Sequence, residues 1–184
     1  SSEVWYEERT DFSRAAAGTD RISHKEVRGY ELLHGKKVFE GRLLGGCLES
    51  LYDILTTTRY ADEKAVCEKY GIFPPREEWT GKILFVETCE EKPQPALFEK
   101  ELKALKDRGV FDVVAGVIVG KPQDEAFYEE YKDIWKKTVN NDQLPIVYNV
   151  NFGHATPRCA LQYGTMARVD MEKKVIIFYK PIDR

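Results

Sequence analysis

The chain has 184 residues, of which 42% are hydrophobic and 32% charged, with a formal net charge of −3. That length buries roughly 70% of the unfolded surface, so the fold needs no disulfide or metal staple, and the acidic balance leaves no basic excess to grip a phosphate backbone, which excludes nucleic acid as an expected partner. No apolar run approaches the ~20 residues of a membrane span, and no signal peptide is visible. Cysteines stand at 47, 67, 89 and 159 without a CxxC pair or a histidine cluster. No metal and no cofactor is therefore expected, and the thiols read as reduced cysteines of a cytoplasmic protein.

Residues 1–17 are polar with Trp5, Tyr6 and Phe12 scattered among them, and they read as an extended arm. His24 and His34 lie among charged residues and read as solvated surface histidines. Residues 36–44 (KKVFEGRLL) alternate and predict a strand with a bulge or bend near Gly41. Gly45-Gly46 is expected to break that strand, and Leu48, Leu51, Tyr52 and Leu55 then recur at helical spacing over 47–56. Strand, Gly-Gly and helix form an anion-friendly geometry, although tight helix–strand packing explains the glycines equally well. A second short helix over 61–70 is expected to end at Gly71, and Trp79 is expected in the core.

Residues 82–87 (KILFVE) carry the strongest strand signal, an apolar run suited to a strand covered on both faces. It closes on Glu87. A helix over 96–108 follows, with Phe98, Leu102 and Leu105 inward and Gly109 at its end. Residues 112–120 (DVVAGVIVG) predict another buried strand, with Gly116 marking a close approach. A helix over 124–140 carries Phe127, Tyr131, Ile134, Trp135 and Thr138 on one core-facing stripe. Residues 145–150 predict a strand that runs into a turn holding His154, and residues 165–170 and 174–179 predict a closing hairpin. The alternation from residue 81 argues an α/β fold, a mixed sheet with packed helices.

In such sheets ligands collect at the carboxyl ends of the strands, where Glu87, Gly120 and His154 all fall. A histidine there suits a general base, and a carboxylate beside it would orient the ring and stabilise the imidazolium. No G-x-S-x-G elbow supplies a nucleophile. Ser50 falls in the first turns of a helix, and the acidic neighbours of Cys89 argue against a thiolate.

GRLLGGCLESL, GKILFVETCEE, GVIVGKPQDE and LPIVYNVNFGHATPR, in this order and spacing, resemble the C-terminal half of the LD-carboxypeptidase family of serine peptidases, nearest the microcin C immunity branch. The resemblance implies a swivelling β/β/α domain over residues 36–184, preceded by an arm or linker over 1–35. It implies that Glu87 and His154 are two members of a Ser–Glu–His triad whose serine lies on an elbow in a preceding nucleophile domain, which would also account for a chain that starts without methionine. It places Gly46, Cys47 and Lys121 among the substrate-binding residues, and Trp5 in the arm that stacks on a nucleotide base. The implied substrates are L,D-linked peptides or aminoacyl-nucleotide conjugates, and a homodimer is the further expected partner. Where the family commonly has Gly-Gly-Asn this chain has Gly45-Gly46-Cys47, and a thiol cannot donate and accept as a carboxamide does. A catalytically inactive binding or dimerisation domain of the same fold is the alternative which that departure supports.

Overall fold

The computed structural model describes residues 1–57 and 59–179. A two-stranded ribbon, β1 (Val4–Tyr6) and β2 (Ser23–Lys25), precedes the main sheet. That sheet is built from β3 (Glu31–His34), β4 (Val38–Cys47), β5 (Ile83–Glu87), β6 (Gly116–Gly120), β7 (Ile146–Val150), β8 (Met166–Asp170) and β9 (Val175–Phe178), in the spatial order β3-β7-β6-β5-β4-β8-β9. The central strands β4, β5, β6 and β7 pair in parallel, while β3 and the β8–β9 hairpin add antiparallel edges. The helices are α1 (Leu48–Thr56), α2 (Glu63–Tyr70), α3 (Pro95–Asp107), α4 (Val110–Val113) and α5 (Tyr128–Val139). The expected α/β architecture with a mixed sheet is thus the observed one.

Strand pleating sorts the core into two parts. Leu84, Val86, Val117, Val119, Ile146 and Tyr148 face the helices and pack with Phe98, Leu102, Tyr131 and Trp135. The alternate residues Ile83, Phe85, Ile118 and Val147 meet Phe39, Leu43, Ala167 and Val169. This second core is made mostly from strand residues, with Phe152 and Met171 added from the turns after β7 and β8, because the sheet curls strongly and closes over its own face. Gly116 permits the curl: a Cβ there would lie 2.3 Å from the Phe39 ring. The close approach expected at Gly116 is therefore the approach of β4.

Several sequence expectations are corrected. Gly45-Gly46 does not break the strand: β4 continues to Cys47, with Gly45 opposite Phe85, Gly46 opposite Val86 and Cys47 opposite Glu87. A Cβ on Gly45 would fall 1.7 Å from the Phe85 carbonyl oxygen, so the glycine lets two parallel strands come together. No bulge interrupts β4 at Gly41, which pairs in register with Ala167; there too, a Cβ would meet the Gly81 carbonyl oxygen, at 2.5 Å. The strand expected over 112–120 begins only at Gly116, because Val110 and Phe111 are buried by the turn of α4 instead. The helix expected from 124 begins at Tyr128. Asp124, Glu125 and Phe127 have positive φ, so the chain makes a short 3-10 turn and a reversal first. Within α5 the expected core stripe holds, with Tyr131, Trp135 and Thr138 buried. Trp79 is buried as expected, and Gly71 closes α2 in the left-handed conformation.

The surface reading of the two N-terminal histidines holds for half-exposed His24 and fails at His34. His24 stacks on Trp5 across the β1–β2 ribbon, and both ring nitrogens of His34 are buried without a hydrogen-bond partner.

Gly45→Ala is expected to cost about 3 kcal/mol or more, since backbone atoms of β5 cannot yield without separating the strands. Gly46→Ala shares the unfavourable φ (+154° against +159° at Gly45) but should cost less, because no backbone atom and only the Tyr163 hydroxyl approaches, at 3.3 Å. Urea unfolding of both variants, with equal slopes and different midpoints, checks the order.

Candidate active site

The parallel register decides which side chains meet. β4 and β5 end side by side, which puts Cys47 beside Glu87. The turn after β7 folds back toward β5 and carries Gly153 and His154. Glu87 is held between two glycines: a Cβ on Gly120 would lie 2.7 Å from the Glu87 Cβ, and one on Gly153 would lie 2.5 Å from Glu87 Oε2. Gly153 also has φ +88°, a backbone conformation that favours glycine.

One carboxylate oxygen of Glu87 serves His154 twice. The His154 backbone N–H donates to Oε2 at 3.0 Å, and His154 Nδ1 lies 2.7 Å from the same atom. A carboxylate can only accept, so in the neutral ring the proton belongs on Nδ1 and the lone pair on Nε2. Nε2 faces a cleft, with Glu90 Oε2 at 3.2 Å. Burial pushes the Glu87 carboxyl up, against the hydrogen bonds and charge of His154, which lower it. For His154, desolvation lowers the pKa, but the Glu87 hydrogen bond and the charges of Glu87, Glu90 and Glu49 outweigh it, so the imidazole is held above its usual value of 6.5.

Two clefts flank the Glu87–His154 pair, one bordered by His154 and the other by Glu87. One, of about 460 Å³, is lined by Cys47, Glu49, Asp53, Glu90 and Glu91 with Arg59. A smaller one of about 260 Å³ adjoins Glu87 and includes Gly46, Cys47 and Gly153. Glu49, in the first turn of α1, ties the acidic cleft together. It accepts from Cys47 Sγ at 3.1 Å and from the Cys89 N–H at 3.0 Å. Burial and then the Glu49 charge push the Cys47 thiol up to about 12. Burial also pushes Cys89 up to about 12, with Glu49 again adding to the effect. Neither thiol carries the thiolate a nucleophile needs. Deeper, on α3, the Glu101 carboxyl is pushed up to about 8 by burial and then by Glu49 and Asp53.

Of the residues singled out in the sequence, Glu87, His154, Gly46 and Cys47 come together here. Trp5 and Lys121 belong to a different cluster. Trp5 is 8% exposed, stacked on His24 with ring centroids 4.2 Å apart. Lys121 Nζ lies 5.2 Å from the Trp5 ring centroid and pairs with Glu26 at 3.0 Å and Glu125 at 2.6 Å. Neither residue lines the clefts at His154. The ribbon does reach the site by its backbone, because Tyr6 N–H donates to the Thr156 carbonyl at 3.0 Å. Sequence reasoning missed Glu49 and Glu90. Glu90 stands three residues after Glu87, a signal of proximity, whereas nothing local ties Glu49 to Cys89. Among the described residues no group of three His, Cys, Asp or Glu is placed to hold a metal ion.

The family model of the LD-carboxypeptidase C-terminal domain matches residues 40–169. The chain belongs to the LD-carboxypeptidase C-terminal domain family. A protein of Treponema pallidum (strain Nichols) that carries a carboxypeptidase name is 31% identical over 153 residues, which is 80% of this chain and 39% of that protein. An MccF-like protein from Streptococcus pneumoniae, solved in complex with AMP, superposes with a TM-score of 0.92 and 53% identity over 97% of this chain and 51% of its own. MccF in complex with glutamyl sulfamoyl guanosine shares the fold, with a TM-score of 0.70 and 22% identity over 98% of this chain and 49% of its own. This LD-carboxypeptidase domain therefore spans about half the length of its solved relatives. No helix among its described residues is long and apolar enough to cross a membrane.

The raised pKa of His154 has a definite sign in both stability and charge. Its contribution to stability is fully present below about pH 6.5 and is lost as pH rises through the raised value. Glu90→Gln removes one of the charges that raises it, so the imidazole should titrate at lower pH in that variant, while Glu87→Gln should lower it further. Proton NMR titration of the imidazole measures both, and an unchanged titration in Glu87→Gln would contradict the coupling.

Proposed function

We propose that this domain supplies the acid–base half of a serine carboxypeptidase, with Glu87 and His154 acting on a serine from a nucleophile domain outside this chain. The observation that carries the reading is the 2.7 Å contact of Glu87 Oε2 with His154 Nδ1, which turns Nε2 toward the cleft as the base once Glu90 moves off it. In this reaction Nε2 accepts the serine hydroxyl proton as the oxygen attacks the scissile carbonyl. The imidazolium so formed is stabilised by Glu87 and then returns the proton to the departing amine. A water molecule, deprotonated by the same nitrogen, hydrolyses the acyl-enzyme and frees the serine. Substrates are L,D-linked peptides or aminoacyl-nucleotide conjugates. The nucleotide arm draws support from the AMP and glutamyl sulfamoyl guanosine bound by the structural relatives.

A second reading, a binding domain that has lost activity, is favoured by Cys47. Its thiol is turned to Glu49, and Glu90 occupies the nitrogen that would serve the serine. In the active enzyme the serine hydroxyl must displace Glu90, an exposed side chain free to swing aside.

Turnover decides between the two. In the full-length protein, Glu87→Gln should reduce acylation by on the order of 10³–10⁴-fold with little change in substrate binding. His154→Ala should cost a similar factor, and the double variant little more. Parent-rate turnover by Glu87→Gln, with melting temperature measured on the same sample, would remove Glu87 from the triad. The 184-residue chain by itself should hydrolyse neither an L,D-linked peptide nor an aminoacyl-sulfamoyl adenosine, and hydrolysis surviving removal of trace proteases would contradict this.

A further inference from the structure

His154 also borders a cleft of about 270 Å³ on the side away from α1, and its charge is of the opposite kind. Arg9, Arg21 and Arg158 line it together with Glu8 and Glu90, so cationic side chains outnumber the carboxylates. The guanidinium groups come from two segments, Arg9 and Arg21 from the loop between β1 and β2 and Arg158 from the turn after β7, and are each fixed by neutral acceptors. Arg9 donates to the Ala16 carbonyl at 3.0 Å and to Thr19 Oγ1 at 3.0 Å. Arg21 Nη1 donates to Thr156 Oγ1 at 2.9 Å. Arg158 Nη1 donates to the carbonyls of Gly153 at 3.0 Å and His154 at 3.2 Å. Among the described residues none of the three makes an ion pair, whereas Arg28, Arg76 and Arg168 elsewhere each pair with a carboxylate.

A guanidinium has five N–H donors in a planar fork. Held through Nη1 by neutral oxygens, Arg21 and Arg158 keep the Nη2 side of that fork and an uncompensated charge. Arg158 is anchored on the residues that carry the base itself, so a group bound to it is bound close to the reacting centre. On the other side of His154, Glu49, Asp53, Glu90 and Glu91 make the larger cleft hostile to an anion. Charge therefore sorts the two sides.

We propose that the cleft of Arg9, Arg21 and Arg158 is the subsite for an oxyanion of the substrate, which fixes the direction in which the substrate lies across His154. The inference rests on the serine-carboxypeptidase reading for calling the anion part of a substrate. Planar guanidinium groups suit two oxyanions that such substrates offer: the terminal carboxylate of a peptide, and the phosphoryl group of a nucleotide conjugate.

The test reads binding without turnover, so that it stands apart from the triad. Calorimetric titration of the 184-residue chain, repeated on the full-length protein, compares AMP with adenosine, and a peptide ending in D-alanine with its C-terminal amide. The anionic member of one pair should bind more tightly than its neutral counterpart. Arg21→Gln and Arg158→Gln should each reduce that preference roughly tenfold or more, the scale of a lost charged hydrogen bond. Arg21→Lys should keep part of it. Arg9→Gln, which leaves the His154 turn untouched, serves if Arg158→Gln unfolds. Loss of preference in the AMP pair identifies a phosphoryl group as the occupant, and loss in the peptide pair a carboxylate. No preference for either anion, or a preference that survives all three glutamine variants, overturns the proposal. If the arginine dependence holds while Glu87→Gln keeps full turnover in the full-length protein, the triad reading fails and the anion site stands.

Discussion

Glu87 Oε2 accepts two hydrogen bonds from a single residue, one from the His154 backbone and one from its ring, and the arrangement around the sheet's carboxyl edge depends on this. Burying a carboxylate costs several kcal/mol unless charged hydrogen bonds replace water, and each of those is worth about 1.5–3 kcal/mol. Two such bonds to one oxygen offset the burial and pin the turn after β7 against β5. The backbone bond sets where the turn lies, and the ring bond sets which nitrogen is left to do chemistry. The glycines at 120 and 153 are the steric condition for both, since a Cβ at either would occupy the space of the Glu87 side chain.

Around that pair the electrostatic field is uneven. Glu49 fixes the acidic side by bonding Cys47 and the Cys89 backbone, and burial, with the charge of Glu49 added, holds both thiols protonated. Where the family commonly has asparagine, Cys47 is thus an inert thiol facing an acid. Any loss of carboxamide contacts with a substrate would come with added negative potential at the same place. The arginines on the opposite side balance it. His154 stands between the two sides, with Glu90 at the boundary.

The N-terminal ribbon joins this site as a support. Trp5 sits directly opposite His24 in the β1–β2 register, which brings the two rings into stacking contact. Lys121, buried with Glu26 and Glu125, fastens the segment after β2 to the end of β6. The loop between β1 and β2 carries Arg9 and Arg21, and Arg21 meets the His154 turn at Thr156. Packing of an aromatic and a buried ion pair on one side therefore positions charged groups on the other.

Apolar runs and periodicity by themselves determined the central strands, the core faces of α3 and α5, and the ends of β5 and β7. Those features follow from neighbours along the chain, and burial on both faces leaves few alternatives to a continuous apolar strand. Glu87 and His154 were legible as a pair for the same reason: Glu87 closes a strand and His154 stands in the turn after one, and the alternation of strands and helices implies the direction of both strands. Their motifs also carried the family resemblance. Glycine was the ambiguous letter. At Gly41, Gly45 and Gly46 it was read locally, as a bend or a break, but Gly41 and Gly45 admit a neighbouring backbone, and only the sheet shows which backbone approaches. The start of α5 was misplaced because positive φ at Asp124, Glu125 and Phe127 is imposed by packing and by contacts such as Asp124 with Lys92. Glu49 with Cys89, Trp5 with His24, and Arg158 beside the arginines of the β1–β2 loop were decided by tertiary structure alone. Their contacts join residues far apart in the chain, and no local spacing encodes a distance that exists only after the sheet has curled.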